Sequence, residues 1–279
     1  MPPRDSEGLL ALSVDVEEWY AGITDLPSDV GTWPSRMDLG LPRLLDLLES
    51  TDTSATFFVL GHVAREHPEL IRRIAEAGHE MGVHDDYHLP LWGRCEHDFR
   101  ESVKKALDSV EQASGTDAKR FRAPCFSVDG RTLWALDVLE DMGFEFDSSV
   151  FPVHNPRYGF PQAPRFPYRT GRGGRLVEFP ISTVRIGPVN IPFSGGFYLR
   201  ALPLTVITAC LKSLLSRGFP GICYVHPWEL DRDQPSLPGG VLYRMRHGFE
   251  FGDTSRKLEA LLRCMRFTTA GRVLAKVGV

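Results

Sequence analysis

Leu9-Leu10-Ala11-Leu12-Ser13-Val14-Asp15-Val16-Glu17-Glu18 is an almost continuous apolar run that closes on three carboxylates. Such a run, without strict polar alternation, is the pattern of a strand covered on both faces. Six more runs of this kind follow, at Ala55–Leu60, His79–Val83, Arg120–Phe126, Phe144–Val150, Leu176–Ile181 and Ile222–Val225. Helical patterns separate most of them. Val63, Leu70, Ile71 and Ile74 share a stripe that Gly78 would close, and Phe99, Val103, Ala106, Leu107 and Val110 share another that stops near Gly115. Leu133, Leu136, Val138 and Leu139 form a shorter stripe. Leu202–Ser216 and Arg256–Met265 also read as helices, with Pro203 tolerable only in a first turn.

Strands alternating with helices predict an α/β fold, either a barrel or a doubly wound sheet. The polar residues decide between them. Asp15–Glu18, His84-Asp85-Asp86-Tyr87-His88, Arg122, Asp147 and His226 each fall at or near the C-terminal end of a different strand. A barrel brings those ends to one mouth, whereas an open sheet spreads them along a crevice. We therefore expect one domain over residues 1–279, a distorted seven-stranded (β/α) barrel. Residues 151–200, rich in proline and glycine, and residues 227–255 are expected as irregular loops over that mouth, with only Leu176–Ile181 regular in the first.

The net charge of −4 gives no basic footprint, which argues against a nucleic-acid partner. Five scattered cysteines form neither a disulfide framework nor a zinc knuckle, and reduced thiols in a cytoplasmic protein are the expectation. The N-terminus lacks the long apolar core of a signal peptide, and no stretch is long and apolar enough to span a bilayer.

Two histidines at HxxxH spacing are by themselves a weak signal. Together with an early carboxylate, His84 and His88 make a three-ligand metal site with a coordination position left open, the catalytic pattern. Gly82 before and Pro90 after favour a loop for this pair. Asp15 and Glu17, alternating along an extended chain, point the same way, so one can bind metal while the other handles a proton. Arg122, leaving an apolar strand, needs a carboxylate, and Asp15 is its natural partner; a purely structural ion pair fits the same residues. His226, leaving another strand, is a candidate general acid, and a bonded carboxylate would raise its pKa and fix its tautomer.

Asp15/Glu17, His84-x-x-x-His88, Arg122-x-Pro124, Asp147 and His226 resemble, in order, the five motifs of the polysaccharide deacetylases, carbohydrate esterase family four. Val14–Trp19 and His226–Asp231 look closest to the branch associated with exosortase and exopolysaccharide loci. The resemblance implies a distorted seven-stranded barrel that removes acetyl groups from sugars, with a carbohydrate as its partner. It implies Asp15 as general base, held by Arg122. His84 and His88 would bind a divalent metal, most readily Zn²⁺, with Co²⁺ or Ni²⁺ as alternatives. His226 would be the general acid, tuned by Asp147, and the backbone amide of Cys125 part of an oxyanion hole. Three departures stand out. Val16 replaces the usual metal-binding second aspartate, so the third ligand passes to Glu17, with Glu18 as the alternative. Cys125 replaces an aromatic residue. Asp85 replaces a Ser or Thr after the first histidine and would add an acid beside the metal. Two rival readings remain: a metal-free hydrolase of a cyclic amide such as allantoin, and a non-catalytic glycan-binding relative. Ser194–Tyr198 and Trp228 read either as aromatic surfaces for a sugar ring or as plain packing.

Overall fold

The computed structural model describes residues 9–21, 33–155, 157–231, 233–235 and 253–279. Among the described residues ten strands appear in chain order: β1 (Leu10–Val16), β2 (Thr56–Val59), β3 (Glu80–Val83), β4 (Arg120–Phe121), β5 (Phe146–Asp147), β6 (Tyr168–Thr170), β7 (Leu176–Glu178), β8 (Thr183–Ile186), β9 (Val189–Pro192) and β10 (Gly221–Val225). Eight of them form one sheet in the order β10-β1-β2-β3-β4-β5-β7-β6. Every pairing in it is parallel except β6 with β7. The seven expected strands are the parallel ones; β6 is an added antiparallel edge.

Side-chain parity explains why the sheet curls. Along β1, Leu10, Leu12, Val14 and Val16 join the large core, together with apolar residues of the helices. Ala11, of opposite parity, joins a second cluster with Phe58, Phe146, Val177, Ile222 and Tyr224. Those residues come from strands on both sides of the sheet, and Phe58 on β2 meets Phe146 on β5 edge to face at 6.4 Å. A flat sheet would hold those strands too far apart for such a contact. The fold is thus a single α/β domain whose parallel-dominated sheet curls into an incomplete barrel.

The seam between β7 and β10 is closed by loop residues rather than by strand pairing. Ile222 N donates to Ser182 Oγ at 2.7 Å, Tyr224 N to Ser194 O at 3.0 Å, and Gly196 N to Tyr224 O at 3.1 Å. Only glycine fits at residue 195, because a Cβ there would fall 2.2 Å from Tyr224 O. The far end of the barrel is plugged by the C-terminal helix Ala270–Val277, whose Ala270, Val273 and Leu274 enter the inner cluster.

Several expectations need correction. Arg120–Phe126 and Phe144–Val150 form only two-residue strands. Pro124 has no N–H for a ladder, and Cys125 and Phe126 turn back with φ of 58° and 48°. Their apolar neighbours pack beneath the mouth instead of extending the sheet. Residues 151–200 are more regular than expected, holding β6, the hairpin β8–β9 and a short helix, Phe197–Ala201. The helix Met37–Ser50 escaped the sequence pattern because Gly40 and Pro42 interrupt it. Of 227–255, a short turn at Pro227–Leu230 is seen. Residues 236–252, Pro156 and the first eight residues lie outside the described residues. No described helix is long and apolar enough to cross a membrane.

Candidate active site

Asp15 has the inward parity of β1, and Glu17 continues it two residues on, past the strand end. HxxxH lies in the loop after β3, as its flanking Gly and Pro implied. Glu17, His84 and His88 bring one ligand atom each to within 4.8 Å of one another. Glu17 Oε2 lies 2.8 Å from His88 Nε2 and 3.7 Å from His84 Nε2. It is buried yet has no well-formed hydrogen bond. His84 Nδ1 donates to Arg122 O at 2.7 Å, which fixes the tautomer and leaves Nε2 as a lone-pair donor. An orphaned carboxylate oxygen between two imidazole nitrogens fits a divalent cation, and N,O donors suit Zn²⁺, Co²⁺ or Ni²⁺. Burial alone would raise the Glu17 carboxyl, but His88, His226 and His84 outweigh it and hold it well below the usual range.

The neighbouring acids are engaged elsewhere. Glu18 accepts from Ser35 Oγ and, at 3.2 Å, from Arg36 N. Asp85 is a correction to the expected extra acid beside the metal. Its left-handed backbone (φ 69°) aims the carboxylate at Arg94 and at Ser102 Oγ, 2.6 Å away. Asp86 pairs with Arg65 at 2.6 Å and Lys105 at 2.7 Å. These contacts brace the histidine loop from behind.

Arg122 is fully buried and spends its donors on one framework. Nη1 reaches Asp15 Oδ1 at 2.7 Å and Ser13 Oγ at 2.8 Å, while Nε and Nη2 reach Ser148 O and Oγ at 2.9 and 2.8 Å. The guanidinium lies over the Phe58 ring. The expected Asp15–Arg122 pair is therefore present, and it ties β1 to the loop after β5.

His226 sits opposite the histidine pair, its Nε2 3.5 Å from Glu17 Oε1 and its ring stacked on Trp228 at 5.0 Å. The carboxylate beside its Nδ1 is not Asp147 but Glu229, 3.3 Å away. Glu229 Oε2 also accepts from His226 N at 3.0 Å, and Arg200 Nε holds its Oε1 at 2.8 Å. Burial opposes charge on His226, but Glu17, Glu229 and Asp15 prevail and push its pKa up to about 9. Asp147, of opposite parity to the inner-cluster residue Phe146, is buried and engaged elsewhere. It takes Ser149 Oγ, and Ser149 in turn accepts from Ala123 N at 2.7 Å. Its other partner is Glu178, and burial raises both carboxyls, Glu178 far above its usual value. Asp147 thus braces the turn that carries Cys125. Glu229 and Arg200 had no assigned role in the sequence reading. The signal for Glu229 was its position three residues after His226 with Pro227 between, the spacing of one tight turn.

The cleft over these groups has a volume of about 270 Å³. Its walls include Asp15, Glu17, His84, His88, Cys125 and His226. Trp92, Arg157, Tyr158, Phe197 and Trp228 form an aromatic and cationic rim. Of the Ser194–Tyr198 loop, Phe197 lines the cleft, while Gly195 and Gly196 serve the seam.

Residues 31–146 match the family model described as polysaccharide deacetylase, and residues 148–275 match a domain of unknown function, DUF3473. The peptidoglycan-N-acetylmuramic acid deacetylase PdaA of Bacillus subtilis is 26% identical over 44% of this chain and 47% of its own length. The chain therefore spans about half of that relative. A Mycobacterium smegmatis protein, provisionally named a polysaccharide deacetylase, superposes with a TM-score of 0.64 at 22% identity over 96% of this chain and 89% of its own. The PuuE allantoinase superposes with a TM-score of 0.63 at 14% identity over 99% and 93%. At such identities the two structures establish the fold alone. The match over residues 31–146 and the curated relatives liken that part of the chain to the polysaccharide deacetylases.

Proposed function

We propose that the cleft is a metal-dependent deacetylase site that removes N-acetyl groups from an amino sugar or glycan precursor. The observation that carries this reading is the convergence of Glu17, His84 and His88 beside the Asp15–Arg122 pair and across from His226. A divalent cation held by these three ligands would supply Lewis acidity, polarising the acetyl carbonyl and acidifying a water. Asp15, held by Arg122, takes the proton of the attacking water. The amide of Cys125, in its left-handed turn, donates to the developing oxyanion. His226 delivers a proton to the leaving amine from Nε2, the nitrogen turned toward Glu17, while Glu229 holds Nδ1. The aromatic rim of Trp92, Tyr158 and Trp228 offers flat surfaces for a sugar ring.

His84→Ala should abolish both metal retention and acetate release from N-acetylglucosamine oligomers, while the folded state persists. Metal analysis beside an acetate assay checks this, and full activity with no bound metal would contradict the reading. Glu229→Gln should lower kcat by about 10–100-fold with little change in KM, since it disturbs the orientation of His226 rather than substrate binding. Steady-state kinetics of Glu229→Gln and Asp147→Asn compare the two carboxylates; a larger kcat loss in Asp147→Asn would restore the role to Asp147.

A further inference from the structure

The hairpin β8–β9 presents an apolar face to the outside. Residues directly opposite one another across an antiparallel pair share a face. Val184 pairs with Ile191 and Ile186 with Val189, so one face carries four β-branched side chains. Val184 is half-buried against the core, but Ile186, Val189 and Ile191 are 65%, 48% and 38% exposed. The polar positions are Arg185 and Asn190; Asn190 Nδ2 donates to Pro152 O at 2.8 Å, tying its strand to the protein wall, while Arg185 stays exposed. This reverses the usual arrangement of a half-solvated ribbon, whose apolar face turns inward.

Cationic residues gather with the hairpin. Arg165 binds Thr183 at the root of β8, with Nε to Oγ1 at 3.0 Å. After burial, the nearby charges of Arg185 and Arg217 push Arg165 below its usual pKa. Arg185 donates only to Gly187 O in the turn, at 3.4 Å. Among the described residues no carboxylate pairs with any of the three. Phe219, partly exposed, stacks on Phe166 at 3.9 Å beside Arg165.

We propose that this hairpin docks on an anionic lipid surface, with Ile186, Val189 and Ile191 entering the interface and Arg165, Arg185 and Arg217 meeting lipid phosphates. Apolar side chains flanked by unpaired cations are the composition of interfacial membrane binding. A second copy of the chain fits less well. Three side chains fall far short of the roughly 800 Å² per partner that a stable dimer buries. A symmetric contact would also bring two sets of arginines together. The hairpin grows from Ser182 and Ser194, which staple β10, and β10 leads into His226. Docking would therefore hold the cleft near the lipid, where a lipid-carried glycan would be presented. Lipid binding stands or falls independently of deacetylation in the cleft.

Cosedimentation of the full chain with phosphatidylcholine vesicles, with and without phosphatidylglycerol, tests this. Binding should appear on the anionic vesicles and weaken with salt. Ile186→Ser/Val189→Ser/Ile191→Ser should reduce it about tenfold or more, and Arg185→Gln/Arg217→Gln should erase the preference for the anionic lipid. Both variants should keep the parent's acetate release from a soluble substrate. If the triple variant does not fold, Ile186→Ser, the most exposed position, serves in its place. No binding to anionic vesicles, or equal binding by parent and variants, overturns the proposal. So does a parental dimer that the apolar variant abolishes in the absence of vesicle binding.

Discussion

Asp15→Asn and His226→Ala should each lose about 10²–10⁴-fold in acetate release while the bound metal stays near the parental level. Neither residue belongs to the Glu17–His84–His88 cluster, and His226 Nε2 lies 3.5 Å from Glu17 Oε1. Asp15 reaches its position through Arg122, so an amide there keeps a hydrogen-bond acceptor for the guanidinium but loses the basicity to take a proton. His226 keeps its place through Trp228 stacking and Glu229, so alanine would remove the proposed proton donor and leave Glu17, the proposed metal ligand, in place. Metal content by elemental analysis and acetate release on the same samples separate proton transfer from metal binding. Full activity in either variant would sink its role, and loss of metal in His226→Ala would mean that the histidine is a ligand.

Arg122→Met should lower stability by about 3–5 kcal/mol, the cost of leaving a buried charge without its partner. The guanidinium is fully buried, and its removal strands Asp15 and Ser148 O, while Ser13 Oγ keeps Cys223 O. Denaturant unfolding of parent and variant measures the loss. Pairing Arg122→Met with Asp15→Leu should recover part of it, because the unpaired carboxylate is then gone as well. An Arg122→Met protein as stable as the parent would mean that the Asp15 pair adds nothing to the barrel. Arg122→Lys keeps the charge but cannot bond Asp15, Ser13 and Ser148 at once, so it should fall between the two.

The barrel was legible because its strands are buried on both faces and therefore read as apolar runs, and because polar residues at their ends had to converge. Asp15, Glu17, His84 and His88 were found through that logic, and the structure places them around one cleft. What escaped the sequence was side-chain direction. The motif resemblance assigns Asp147 to His226 and gives Glu229, three residues after His226, no role. Only the tight turn at Pro227 shows that Glu229 swings back onto the ring, while Asp147 is taken up by Ser149. Asp85 was misjudged for the same reason, since a left-handed backbone at a non-glycine residue leaves no trace in the pattern. Hairpin β8–β9 was missed because its apolar residues face outward, so burial periodicity does not mark it as a strand pair.

If Glu17, His84 and His88 hold a metal on which deacetylation depends, removing that metal should stop the reaction. The direct measurement is acetate release from N-acetylglucosamine oligomers by chelator-stripped protein, before and after titration with Zn²⁺ or Co²⁺. Stripped protein should release almost no acetate, and recovery should saturate near one metal per chain, with none in Glu17→Ala. Undiminished amide hydrolysis by the stripped protein would contradict it and favour the metal-free chemistry of the rival reading.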